Sequence, residues 1–435
     1  MPVLVADTTV VSAVLSALAL AAPGAPPPPP GPTAVPAPAP VRHVSVVSED
    51  PVDYTPHVLD GIVNAIAIVG RTVVVGGEFS AVKEARPQDA PALERANLFA
   101  FDLYTGKILP SFAPEVRGVV YALAAGADGT VYVGGDFATI GRAPARGLAR
   151  LRVADGAPVP GFEPRIAGGG VQTLAVQGGK VYAGGDFRRV GNAWRTGLAR
   201  LDAATGAVDP SFAIEVAGPR PGAGLKVYSL AVTPTRLAVD GNFTTLDGQS
   251  RPQLGLIDIG GAKARVLPWR TEAYAPACAK SFPAYVRGLA FSPAGDYFVV
   301  VTTGGNGGAA KLCDSAARFE TGAKGERIKP TWVNHTGGDS LYSVAVTGAA
   351  VYVGGHQRWL DNPRGHDSAG PGAVKRTGIG AIDPRTGKAL PWNPTRTRGI
   401  GVKAFLAHPG GLLVGSDTTR LGREYHARVG MFPLG

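Results

Sequence analysis

The chain has 435 residues, 45% of them hydrophobic and only 17% charged, and carries a formal net charge of +10. That apolar content is enough for a sizeable core and excludes an intrinsically disordered chain. The positive balance suits an anionic partner, but no basic run interleaved with aromatic residues is present, so nucleic acid is not expected to be that partner.

Residues 10–22 (VVSAVLSALALAA) form an apolar run too short for a membrane span, which needs about 20 residues. The run fits the core of a signal peptide over residues 1–22, atypical in having Asp7 and no Lys or Arg before it. Residues 23–40 contain ten prolines and read as an extended spacer. Residues 41–435 read as one domain, secreted or held at the cell surface, with no membrane span after leader removal and no call for oligomerisation beyond a monomer.

From there a short strand recurs seven times, starting at Val73 (VVVGGEF), Val131 (VYVGGDF), Val181 (VYAGGDF), Leu237 (LAVDGNF), Tyr297 (YFVVVTT), Val351 (VYVGGHQ) and Leu412 (LLVGSDT). Before each copy lies a second strand of the form Val-x-x-Leu-Ala, as in Val120-Tyr-Ala-Leu123-Ala. After it comes a third, ending in Asp-x-x-Thr-Gly at Asp102, Asp202 and Asp383, where Asp caps a turn and Gly takes the left-handed position. A fourth is marked by one aromatic per unit: Phe112, Phe162, Phe212, Trp269, Trp332 and Trp392. A strand-rich period of this length cannot bury its apolar face alone and must stack on its neighbours. The expected fold is all-β: a seven-bladed β-propeller of four-stranded blades.

Six aromatics for seven units leave one missing, and Pro51–Val58, with Tyr54, aligns with Val159–Ile166. The N-terminal segment is therefore expected to supply the outer strand of the last blade, closing the ring against Arg428–Phe432 and sparing both ends an open edge. Two cysteines, Cys278 and Cys313, lie in connections that open on one face of such a ring, and a disulfide between them is expected in an oxidising compartment.

The Gly-Gly-Asp-Phe strand, the Asp-x-x-Thr-Gly turn and the following Pro-x-Phe resemble the delta-60 repeat of secreted bacterial, often actinobacterial, β-propellers. That resemblance implies export and a propeller, with no reaction attached. Ala381–Trp392 is similar to the tryptophan-docking motif of quinoprotein dehydrogenases, and the strand-terminal Gly-Gly is shared with kelch propellers. An oxidoreductase of either kind is the weaker reading, because the Trp falls one residue late, adjacent cysteines are absent and the kelch Tyr and Trp spacing is missing. No cofactor and no metal site are expected.

The acid after each Gly-Gly (Glu78, Asp136, Asp186, with Asn242, His356 and Asp417 as counterparts) reads as a cap of its own turn. The departures from the repeat lie in blades six and seven, where long polar loops gather Arg358, Trp359, Asp361, Arg364, Arg396, Arg398, Asp417 and Arg423. Forked guanidinium donors beside a stacking Trp suit a carboxylate or phosphate, so this face is expected to bind an anionic glycan or cell-wall polymer. The alternative is a lyase or hydrolase of acidic polysaccharides using His356, His366 or His426 as general base. No catalytic signature motif supports it.

Overall fold

The computed structural model describes residues 41–435 apart from Lys280 and Asn306. The expected leader and proline-rich spacer lie outside the described residues.

Strand elements alternate with turns throughout, and seven sheets share one plan among the described residues. In the first, Ile62–Val69 pairs antiparallel with Thr72–Glu78, which pairs with Leu98–Asp102. In the second the order is Val116–Ala125, Thr130–Ile140, Leu148–Arg152. The third runs Val171–Gln177, Lys180–Gly185, Leu198–Asp202. The fourth and fifth begin with Lys226–Val232 and Val286–Phe291, the sixth with Leu341–Val346 and the seventh with Ala404–His408. Each first strand packs beside the next, and that of the seventh sheet packs beside Ile62–Val69 of the first. The seven first strands therefore form a closed inner circle.

The Gly-Gly pair is explained by two close approaches. A Cβ on Gly76 would come 2.5 Å from Val120 of the next sheet; Gly134, Gly184, Gly354 and Gly415 stand 2.6–2.8 Å from Val171, Val227, Val402 and Val63 in the same way. The second glycine faces a backbone carbonyl of the first strand, Ile62 for Gly77 and Ser340 for Gly355. The first glycine thus lets neighbouring sheets approach, and the second accommodates a bulge. Such a bulge follows the Val or Leu that opens the Val-x-x-Leu pattern in six sheets, skipping Asn64, Tyr121, Gln172, Tyr228, Arg287 and Tyr342 in the ladder.

The Asp-x-x-Thr-Gly turns form as expected: Asp102 Oδ1 accepts from the backbone N–H groups of Tyr104 and Thr105, and Gly106 has φ +69°. Aromatics of the fourth element wedge between sheets, Phe162 against Tyr132 and Trp392 against both Tyr352 and Phe432.

The fourth strand departs from expectation. It is a paired strand in the fourth sheet (Arg265–Val266) and the fifth (Trp332–His335), but shrinks to one bridge in four others: Phe101–Ile108, Leu151–Pro158, Leu201–Val208 and Ile382–Ala389. A tight turn follows the third strand directly, and a proline then removes the N–H a longer ladder would need. At the N-terminus the contact with the last sheet begins upstream of the expected segment and continues into it. Val47 bridges Leu434, the Ser48 N–H donates to Pro433, the Val52 N–H to Met431 and the Val58 N–H to Ala427, while Arg428 donates to the Val58 carbonyl. His57–Val58 forms its ladder, however, with Ala81–Lys83, in a small outer sheet of the first unit.

The expected bond between Cys278 and Cys313 is present, with Cα atoms 5.8 Å apart across a sequence separation of 35. No helix among the described residues is long and apolar enough to cross a membrane.

Candidate functional site

The loops after the middle strands meet the connections that lead into the first strands. Three of the post-Gly-Gly side chains join the two, which corrects the role expected of them: Asp186 accepts from the Gly170 N–H, Asn242 from the Arg220 N–H, and Asp417 from those of Ile400 and Gly401. They cap the incoming connection rather than their own turn.

Most of the expected binding residues are engaged within the protein. Arg396, with no side-chain exposure, holds Asp417 at 2.7 Å and donates to the Gly355 carbonyl. It serves the packing of sheets six and seven and cannot meet a ligand in this arrangement. Asp361 is tied to Asn334 and to the Ala389 N–H, bridging sheets five and six. Arg364 is exposed at a loop tip, and Arg423 lies on an outer hairpin, 3.9 Å from Glu49. His366 is exposed on the blade-six loop. His426 is buried beside Glu424 and His57, in surroundings different from those of His356.

Arg358 and Arg398 do converge, on an acid not singled out from the sequence. Asp339, 2% exposed, accepts two bonds from the Arg358 guanidinium at 2.8 and 3.1 Å and one from Arg398 at 2.7 Å. Arg358 also stacks 4.4 Å from the Trp359 ring centroid. Two guanidiniums share this buried carboxylate, exposed Asp367 lies 3.8 Å from Arg358, and both arginine side chains stay partly open to solvent. The Arg398 Nε–H donates to the His356 carbonyl, and His356 Nδ1 lies 3.4 Å from the Tyr342 hydroxyl. Burial lowers the His356 pKa, with Arg398 and Lys403 adding and Asp339 opposing.

Tyr342 leads to a feature that the loops do not account for. The bulged residues of the first strands, with Lys403 in the seventh sheet, turn inward and line a central cavity of 320 Å³. A bulge re-aims a side chain out of the pleat, which is how six of these seven come to face the axis; Lys403 directly precedes the seventh first strand. Sequence reasoning passed over them because the first x of Val-x-x-Leu varies. That variation, in a pattern otherwise repeated, was the available signal.

A protein-family model described as "Domain of unknown function (DUF5122) beta-propeller" matches residues 126–162 and 179–212, each match running from the turn before a middle strand to the wedged aromatic. Comparison with curated proteins finds no match. Among solved structures, the computationally designed Ika8 protein aligns at TM-score 0.47 and 14% identity over 89% of this chain and all of that one. The WD40 beta propeller domain of Doa1 aligns at 0.44 and 12% over 88% and 96%. The family match and the sheet plan together make the chain an all-β protein of propeller type, similar over two of its repeats to a propeller family of unknown function.

Proposed function

We propose that this chain is an exported seven-bladed propeller, closed through its N-terminal segment, that acts as a binding module for an acidic glycan or cell-wall polymer. Seven sheets of one plan around a closed inner circle support the blade count, and the hydrogen bonds of Ser48 and Val52 to the last strand support the closure. The disulfide supports an oxidising, extracytoplasmic location.

The observation that carries the ligand class is the pair of partly exposed guanidiniums, Arg358 and Arg398, held in place on Asp339 beside a Trp359 face. A carboxylate or phosphate approaching this rim meets oriented forked donors, and a sugar ring meets a stacking surface. The test is calorimetric binding of polygalacturonate, a teichoic-acid-type polymer and a neutral glucan at low and high salt. Acidic polymers should bind, more weakly in Arg398→Ala and at high salt; equal binding of the neutral glucan, or none of either acidic polymer, refutes the reading.

The enzymatic alternative has one observation in its favour, the contact between His356 and Tyr342 beside the cationic rim. New ultraviolet absorbance or reducing ends from an acidic polysaccharide, lost in His356→Ala, would establish it.

A further inference from the structure

The lining of the central cavity carries two cations and no carboxylate. Arg287 lies 4.6 Å from the Tyr228 ring centroid and donates to the Val286 carbonyl, while the Lys403 ammonium sits 3.5 Å from the Tyr342 ring centroid. Neither forms an ion pair among the described residues, and the cavity lining includes no Asp or Glu. Two carboxylates act on them from outside the lining, Asp417 on Lys403 and Asp240 on Arg287. Asp417 is bound by Arg396 and two backbone N–H groups, and Asp186 pairs with Lys226 at 3.7 Å. Burial raises the pKa of fully buried Asp240 well above the ordinary carboxylate value, and Arg287 opposes that shift.

Two half-buried cations around one cavity, with no carboxylate among its lining residues, form a site that an anion would match. Burial pushes the Lys403 pKa down to about 8, with Arg287 adding and Asp417 opposing, so the strain of the unmatched charge falls on this side chain. The opposite wall is uncharged: Asn64 and Gln172 offer amide groups, and Tyr121 a phenol. The lining is thus cationic on one side and neutral, hydrogen-bonding on the other. Its volume lies at the small end of ligand pockets, which start at about 300 Å³.

We infer that the cavity binds the acidic end residue of a glycan, one sugar ring bearing a carboxylate or phosphate, with Arg287 and Lys403 as its counter-charge. The anionic group sits between the guanidinium and the ammonium, and the hydroxyls of the ring meet Asn64, Gln172 and the tyrosines. The inference rests on the acidic-glycan reading of the adjoining rim and specifies which part of the ligand enters the ring.

The test is calorimetric titration of the full domain with galacturonate, glucose 6-phosphate, inorganic phosphate and glucose. At least one acidic sugar should bind more tightly than glucose and inorganic phosphate, and the carboxylate and phosphate arms show which anion is preferred. Lys403→Met and Arg287→Met should each weaken that binding by about tenfold or more, the usual worth of a charge-assisted hydrogen bond. Lys403→Arg should retain most of it. Melting temperatures show whether each variant is folded, and for one that is not, the shift of the Lys403 Nζ resonance in the intact protein on adding sugar replaces it. Absence of acidic-sugar binding, or binding and resonance unchanged throughout, overturns the cavity assignment. If polymers still bind in a manner sensitive to Arg398→Ala, the rim reading survives that failure; if neither polymer nor sugar binds, both fall.

Discussion

Replacing Asp240 by Asn should stabilise the protein, and by an amount that grows with pH. Asp240 stands where Gly76, Gly134, Gly184, Gly354 and Gly415 stand in five other sheets, facing the next inner strand. It has no exposure, and neither carboxylate oxygen has a hydrogen-bond partner. Burial raises its pKa well above the ordinary 3.8, and Arg287 opposes that shift only in part. The folded chain therefore keeps a proton that the unfolded chain releases. Its contribution is fully present below the unfolded pKa and is lost as pH rises toward the folded one, with a slope of about 1.4 kcal/mol per pH unit for one proton.

Asn carries no such linkage. Urea unfolding of both proteins at pH 4.5, 5.5 and 6.5 should show the variant gaining on the parent as pH rises, by up to about 1.4 kcal/mol per unit below the folded-state pKa. Asp314, whose pKa burial raises to about 7, titrates in both proteins and cancels in the difference. Parallel stability curves would refute the buried neutral acid.

Three further outcomes are expected. Removing residues 1–40 should leave a cooperatively unfolding protein, whereas removal through Val58 strips buried Val47 and Val58 and the Ser48 carbonyl that accepts from Trp392 Nε1. Two buried valines alone are worth roughly 3–6 kcal/mol, so calorimetry should show a sharp fall in melting temperature or aggregation; equal stability would sink the N-terminal closure. Gly354→Ala puts a Cβ 2.6 Å from Val402 and should cost about 1–3 kcal/mol by overpacking in urea melts, while Gly129→Ala, which meets no neighbour but has φ +68°, should cost about 1 kcal/mol. Arg396→Ala should destabilise by about 3–5 kcal/mol by leaving Asp417 unpaired, and any loss of ligand binding should track unfolding rather than affinity.

The repeat architecture was legible in the residues because each sheet must solve the same two steric problems. Gly-Gly marks where a neighbouring inner strand and a bulged carbonyl come close, and Asp-x-x-Thr-Gly marks a turn that its own side chain closes; both are local demands that recur wherever the unit recurs. The pairing of Cys278 with Cys313 followed from the same plan, as did the use of the N-terminal segment against the last strand, though its register of contact did not.

The state of each charge was not legible. Arg396 and Arg398 are two residues apart and look equivalent in the chain, yet one is sealed on Asp417 and the other shares Asp339 at an open rim. What separates them is the approach of segments some twenty and sixty residues distant. The cavity shows the same division: Arg287 and Lys403 occupy unremarkable first-strand positions, more than a hundred residues apart. Only closure of the ring sets them around one space from which carboxylates are absent, because burial and partner choice depend on three-dimensional proximity that strand periodicity does not encode.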